Sequence, residues 1–141
     1  MEDLKQLAQT KTAREAPTSL RESPVFLTDL AKMEGRLRAV RAYLHSTVEE
    51  TFARAAVAEE LSLDDRMAVK LATVHTINEA VEVATGAYRA AGSTAILTAN
   101  RFERRLRDAY SASQQLQARG TNYLTVGRHL LGLEPDTMIT F

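Results

Sequence analysis

The sequence of 141 residues has no cysteine, only three prolines and six glycines, and no net charge. The lack of cysteine excludes disulfides, thiolate nucleophiles and cysteine-ligated metals, and it suits the cytoplasm. Because 18 Lys and Arg residues balance 18 Asp and Glu residues, no strong field favours nucleic acid or an anionic membrane. The chain also lacks an apolar run of about 18 residues and a signal peptide. We therefore expect a soluble, cytoplasmic protein that binds neither nucleic acid nor membrane.

The length fits one domain, which would bury roughly two thirds of its unfolded surface in a single core. The apolar pattern has the period of helices almost throughout, and no alternating strand pattern is present. A first long helix is predicted to start with Ser23 as its N-cap and Pro24 at its first position. Its apolar stripe consists of Phe26, Leu30, Met33, Leu37, Val40, Leu44, Val48, Phe52 and Ala55.

Three further helices follow from capping signals and apolar spacing. The second begins at Ser62, carries Asp64 and Asp65 in its first turn and ends at Gly92. Asn100 with Glu103 predicts the start of a third, which Gly120 breaks. Its expected buried side is Phe102, Leu106, Ala109, Ser113 and Leu116. The last helix is predicted from about Thr121, ended by Gly132 and Pro135, with a buried face of Tyr123, Leu124, Val126, Leu130 and Leu131.

Helices of this length with short connections predict an all-α fold, an antiparallel four-helix bundle. We assign residues 1–22 to an N-terminal stub and linker, in which Asp3 to Thr10 is a short helix. Residues 23–136 form the bundle domain, and residues 137–141 form a C-terminal tail.

The polar residues alone indicate few candidate functional sites. His45 with Glu49 and His75 with Glu79 lie one helical turn apart, but the Glu-x-x-His order of di-iron bundles is absent. We therefore predict no metal site, and we expect these histidines, like His129, to be exposed or hydrogen-bonded. The arginines between Arg101 and Arg107 are expected to form intrahelical ion pairs, Glu103 with Arg107 and Arg104 with Asp108.

The segment Gly92-Ser93-Thr94 joins a helix end to a turn that carries two hydroxyl groups. Backbone N–H groups and hydroxyls in such a turn can bind a phosphate oxygen. The same residues also suit an ordinary helix cap. The sequence leaves both interpretations open.

The order of elements from Tyr88 to Asp136 is more specific than any single motif. It contains a small-residue helix stop, a Ser/Thr turn, an amphipathic helix with the core Arg105-x-Arg107-Asp108, and the ending Gly127-Arg128-x-Leu130-Leu131-Gly132-Leu133. This order resembles the C-terminal helical domain of acyl-CoA-dehydrogenase-like flavoproteins, in the branch of two-component flavin-dependent monooxygenases. The resemblance covers nearly the whole chain.

The resemblance implies a flavin-dependent oxidoreductase in which this bundle forms the subunit core and one wall of the flavin pocket. The cofactor would be FMN or FAD, the assembly a homo-oligomer (a dimer or tetramer), and a separate flavin reductase a further partner. Family members carry a helical domain and a β-domain before the bundle. We therefore expect this chain alone to be inactive and to bind flavin weakly or not at all.

The resemblance also implies cofactor-binding residues. Ser93 and Thr94 would contact the flavin phosphate, together with Lys11 or Arg14. Gln115 occupies the position of a histidine that lies near the reactive edge of the flavin in the monooxygenases, and Tyr110 stands where several relatives have histidine. Glutamine donates a hydrogen bond but cannot carry a proton or a positive charge. The sequence leaves open whether Gln115 and Tyr110 line a flavin or substrate pocket or face solvent and core. The alternative function is a stand-alone helical oligomerisation or interaction module without catalysis.

Overall fold

The computed structural model describes residues 1–12 and 18–134, and this part of the chain is all-helical. Five α-helices follow one another: α1 (Glu2–Thr10), α2 (Pro24–Ala55), α3 (Leu63–Ala91), α4 (Phe102–Ser113) and α5 (Thr121–Leu130). Three 3-10 turns separate them, at Leu20–Glu22, Gly92–Ile96 and Leu116–Ala118. The predicted all-α class is confirmed, and no helix in the described residues combines the length and the apolar character needed to cross a membrane.

The described residues divide into two compact units, and both long helices contribute to each unit. Unit 1 contains the described residues of Met1–Arg38 together with Ala80–Tyr110. Unit 2 contains Ala39–Glu79 together with the described residues from Ser111 onward. The predicted tail, residues 137–141, lies outside the described residues, and the predicted domain boundary at residues 22 and 23 stays a prediction.

Helices α2 and α3 run antiparallel within each unit. In unit 1, Met33 contacts the α3 backbone at Gly86, and Arg36 lies 4.0 Å from Glu82. In unit 2, the Thr76 hydroxyl donates to the Val40 carbonyl at 3.4 Å. Arg54 pairs with Asp65 in the same unit. Residue numbers thus rise on α2 as they fall on α3.

The buried face of α2 agrees with the predicted stripe only as far as Leu44. Beyond this point Thr47 and Thr51 are buried, whereas Val48 is 47% exposed and Phe52 is 76% exposed. The prediction for Val48, Phe52 and Ala55 was therefore wrong. Starting from Phe26, alternating steps of four and three residues along α2 reach positions 47 and 51. This average period of 3.5 residues keeps one face of the helix against an antiparallel partner.

The caps of the long helices form as predicted. The Ser23 hydroxyl accepts a bond from the Phe26 N–H at 3.4 Å, at the start of α2. At the start of α3, the Asp65 N–H donates to the Ser62 hydroxyl at 3.1 Å, and the Ser62 N–H donates back to the Asp65 carboxylate at 3.2 Å. Helix α3 ends at Gly92, whose φ of 56° lies in the left-handed region that favours glycine.

The core of unit 1 includes the short N-terminal helix. Leu4 and Ala8 of α1 are 1% and 3% exposed. They belong to a cluster with residues from α2, α3, α4 and the turn after α3: Phe26, Met33, Val83, Ala91, Ala95 and Phe102. Helix α1 is therefore an integral part of this core.

The two C-terminal helices differ from the sequence prediction. Helix α4 ends at Ser113, seven residues before Gly120, and Leu116 is exposed on the following turn. Helix α5 starts at Thr121 and buries Val126, as predicted, but it also buries Asn122 and Thr125. The prediction that Tyr123, Leu124, Leu130 and Leu131 are buried was wrong, since all four are exposed. The buried face of α5 includes Asn122, whose side chain forms hydrogen bonds. The apolar pattern of the sequence alone does not predict these hydrogen bonds.

Two helical glycines provide a matched test of the α2–α3 packing. A Cβ at exposed Gly35 meets nothing within 4 Å, whereas a Cβ at Gly86 would lie 2.7 Å from the Met33 sulfur. We expect Gly35→Ala to stabilise the protein by roughly 0.5–1 kcal/mol through helix propensity. Gly86→Ala gains the same propensity but must displace the end of the flexible Met33 side chain, so we expect a smaller stabilisation than for Gly35→Ala. Urea unfolding of both variants tests this, and equal stabilisation would contradict the close packing.

Asp65 should make the stability of the protein depend on pH in the acid range. Bonds from the Ser62 hydroxyl, and then from Arg54, hold the pKa of the Asp65 carboxyl below its usual value. The stabilisation is therefore present above the unfolded-state pKa of about 3.9 and is lost as pH falls through the lower folded-state pKa. We expect Asp65→Asn to lower Tm at pH 7, with a difference that shrinks below about pH 4. Exposed Asp29→Asn is the control, and a pH-independent difference at Asp65 would contradict this assignment.

Candidate functional site

The turn after α3 is joined to the segment after α1 by the side chain of Lys11. Its ammonium group donates to the Ala91 carbonyl and, at 2.8 Å, to the Thr94 hydroxyl. Thr94 lies 83 residues further along the chain. Gly92 adopts its positive φ directly beside this contact, where an added Cβ would lie 3.4 Å from the Lys11 nitrogen. Two of the residues selected from the sequence, Lys11 and Thr94, are therefore brought together in unit 1.

The Lys11 ammonium has an environment that suits an anionic ligand. Burial lowers the pKa of Lys11. Its hydrogen-bond partners in the described ranges are neutral oxygens, and no carboxylate of these ranges forms an ion pair with it. An ammonium has three donors and two are used here. The remaining donor and the positive charge match a phosphate oxygen.

Thr94 is held in place by the residues that follow it. The Asn100 amide donates to the Thr94 carbonyl at 3.0 Å, and the Leu97 N–H donates to the same oxygen at 3.3 Å. Ala95, next to Thr94, is fully buried, whereas Ser93 on its other side is exposed. The sequence predicted Asn100 as a helix cap. In the structure the Asn100 side chain instead donates a hydrogen bond to this turn, and α4 begins at Phe102.

The remaining site predictions have different locations. Tyr110 lies in unit 1, with its hydroxyl 3.5 Å from the Thr85 hydroxyl. Gln115 belongs to unit 2, where its exposed side chain precedes the 3-10 turn Leu116–Ala118. Arg14 lies outside the described residues. Whether Ser93, Thr94, Lys11, Arg14 and Gln115 bind a cofactor stays a prediction.

The histidines and arginines take part in pairwise contacts. The His129 imidazole lies 2.7 Å from the Asp64 carboxylate, and the His75 imidazole lies 3.4 Å from the Tyr123 hydroxyl. Within residues 1–12 and 18–134, no group of three or more potential ligands is placed to hold a metal ion. The predicted arginine pairs are confirmed by the ion pairs Arg107–Glu103 at 3.2 Å and Arg104–Asp108 at 3.9 Å.

Two comparisons relate this geometry to known proteins. A family model described as "Acyl-CoA dehydrogenase, C-terminal domain" matches residues 1–119. The chain is also 24% identical, over 135 residues, to the indole-3-acetate monooxygenase of Pseudomonas putida. This alignment covers 96% of the chain but 35% of the relative. The chain thus spans about a third of the length of the curated relative that it matches.

Gln115 offers a direct test of its surface position. Because its side chain is exposed, we expect Gln115→His to shift Tm by less than about 3 °C, as is usual for surface substitutions. Thermal unfolding followed by circular dichroism measures this shift, with Asn122→His at the neighbouring buried site as the contrasting variant. A large loss of Tm in Gln115→His would show that the side chain is buried.

Proposed function

Because the chain belongs to the family of acyl-CoA dehydrogenase C-terminal domains, we propose that it is the C-terminal helical bundle of a flavin-dependent oxidoreductase. The family match over residues 1–119 is the observation that carries this proposal. The similarity to an indole-3-acetate monooxygenase favours the monooxygenase branch. In this proposal the four helices α2, α3, α4 and α5 form an antiparallel bundle.

The cofactor is a flavin, FMN or FAD, and it supplies the redox chemistry when bound. The Lys11 ammonium and the Thr94 hydroxyl hold its phosphate, with Ser93 and Arg14 as further contacts. The partly buried cation with a neutral hydroxyl partner fits this group. Gly92 supports the same assignment, because its left-handed conformation lets the chain turn beside Lys11 without a side chain in between.

The bundle forms one wall of the flavin pocket and the core of a homo-oligomer, a dimer or tetramer. Exposed apolar side chains of unit 2 support the assembly, since such surfaces in soluble proteins commonly mark contacts with other chains. They are Val48, Phe52, Leu124, Leu130 and Leu131. The remaining walls come from the domains that make up the rest of the relative's length. A cytoplasmic location and a separate flavin reductase complete the proposal.

A stand-alone helical oligomerisation or interaction module is the second candidate. The same exposed apolar side chains favour it, because they are suited to contact with another protein whether or not a flavin is bound. Oligomeric state therefore does not separate the two candidates. Flavin binding by the natural protein does, because the stand-alone module would bind none.

The phosphate site can be tested by flavin titration of the full natural protein that carries this chain. A charge-assisted hydrogen bond contributes roughly 1.5–3 kcal/mol, so we expect Lys11→Met to weaken flavin binding by about 10- to 100-fold. Thr94→Val should weaken it less, since it removes a neutral contact. Exposed Lys32→Met is the matched control and should leave the dissociation constant within about twofold.

Three outcomes of this titration are informative. Unchanged affinity in both Lys11→Met and Thr94→Val, with folding verified by circular dichroism, would contradict the phosphate site. No flavin binding by the natural protein would favour the stand-alone module. A flavin complex of micromolar or better affinity formed by the 141-residue chain alone would contradict the need for the missing domains.

A further inference from the structure

Tyrosine is the side chain of this sequence that gives up one electron most readily. The sequence has neither cysteine nor tryptophan, and it has four tyrosines: Tyr43, Tyr88, Tyr110 and Tyr123. A phenol that loses an electron becomes a strong acid, so its oxidation is easy only where a base takes up the phenolic proton at the same time. The groups around each tyrosine hydroxyl therefore decide where oxidation occurs.

The Tyr123 hydroxyl of α5 lies beside an imidazole. Its oxygen is 3.4 Å from Nδ1 of His75 on α3, and both residues belong to unit 2. With the ring proton of His75 on Nε2, the Tyr123 O–H donates to Nδ1, which has the free electron pair to take up the proton. The Tyr123–His75 pair thus holds a phenol and a base in one contact.

The ring of His75 is also in contact with Tyr43 of α2. The two ring centroids lie 6.4 Å apart with an angle of 65° between the planes, an edge-to-face arrangement. Both of these rings are half-buried, whereas Tyr123 is 38% exposed. The base is therefore held in place on its inner side, while the phenol is open to a small solute.

A carboxylate near the pair favours the charges that the oxidation produces. Glu79 follows His75 by about one turn of α3. Burial, and then the negative charge of Glu79, raise the pKa of the Tyr123 phenol. The phenol therefore keeps its proton at neutral pH until the electron leaves. The same negative charge stabilises the imidazolium that forms when His75 takes up the proton.

We infer that Tyr123 is a redox-active tyrosine, which gives one electron to a one-electron oxidant while its phenolic proton passes to Nδ1 of His75. The products on the protein are a neutral tyrosyl radical and a His75 imidazolium. A carbonate radical anion, as the oxidant, takes up the electron and becomes carbonate. A one-electron reductant such as ascorbate then restores the phenol, and His75 returns the proton. The site requires no flavin, so it goes beyond both candidate functions.

Radical trapping on the natural protein that carries this chain tests the site. Photogenerated tris(bipyridine)ruthenium(III) supplies the one-electron oxidant, a nitroso spin trap marks the tyrosyl radicals, and peptide mass spectrometry locates the adducts. Tyr110, which is 49% exposed, serves as the internal reference for accessibility. We expect adducts at Tyr123 to exceed those at Tyr110 on the order of tenfold. A positioned base contributes roughly 10²- to 10⁴-fold, and water replaces part of this at any exposed phenol.

The variant His75→Gln separates the base from the hydrogen bond. A glutamine carbonyl can accept a hydrogen bond from the phenol but cannot take up its proton. We expect this variant to lower the ratio of Tyr123 to Tyr110 adducts by about tenfold, and we expect added imidazole to restore the ratio in His75→Ala. The matched control is Tyr43→Phe, which keeps the ring that packs on His75 and should leave the ratio unchanged.

The adduct ratio decides the inference in either direction. A high ratio that falls in His75→Gln supports it, provided that circular dichroism shows the variant to be folded. Adducts that do not favour Tyr123, or a ratio that His75→Gln leaves unchanged, would overturn it. If His75→Gln fails to fold, His75→Ala with and without imidazole gives the same decision. Failure of the natural protein to bind flavin would overturn the proposed function and leave this result standing.

Discussion

The antiparallel contact between α2 and α3 is the constraint on which the other features depend. In unit 1 the absence of a side chain at Gly86 lets Met33 approach the α3 backbone. The C-terminus of α3 then carries the Gly92 turn that receives Lys11. In unit 2 the same helix supplies Lys70 and Asn78 to the α4–α5 connection. Helix α3 can contribute to both units because its apolar residues extend over more than one face, while Lys70 and Asn78 supply polar contacts.

Both units bury apolar side chains, but the buried polar residues of the described part of the chain lie in unit 2. The core of unit 1 is an apolar cluster from α1 to α4. Unit 2 buries four polar residues, Thr47, Thr51, Asn122 and Thr125. The Asn122 amide is fully hydrogen-bonded, whereas the Thr51 hydroxyl has no hydrogen-bond partner in the described part of the chain. A buried polar group without a partner costs about 1–3 kcal/mol. Burial of Thr51 therefore stabilises unit 2 less than burial of an apolar residue at that position would.

Local signals in the sequence predicted the limits of the two long helices well, because Ser23, Ser62 and Gly92 act within a few residues of themselves. The faces of α2 and α5 were harder to predict. Both depend on which side a partner helix covers, and this choice buries Thr51 and Asn122 while it exposes Phe52 and Leu130. The Ser/Thr turn after α3, which is the proposed phosphate site, was visible as a motif. Its contact with Lys11 spans 83 residues, so only the family resemblance pointed to that lysine.

The composition of unit 1 has a consequence for synthesis on the ribosome. Its core needs Leu4 and Ala8 from the start of the chain and Phe102 from a point near residue 100. The apolar face of α1 therefore stays partly uncovered until Phe102, about a hundred residues further along the chain, has been made. Helical hairpin contacts between α2 and α3 form earlier because their segments are adjacent in sequence. The apolar face of α1 thus stays exposed in nascent chains after the α2–α3 hairpin has formed, which makes it a surface for chaperone binding during translation.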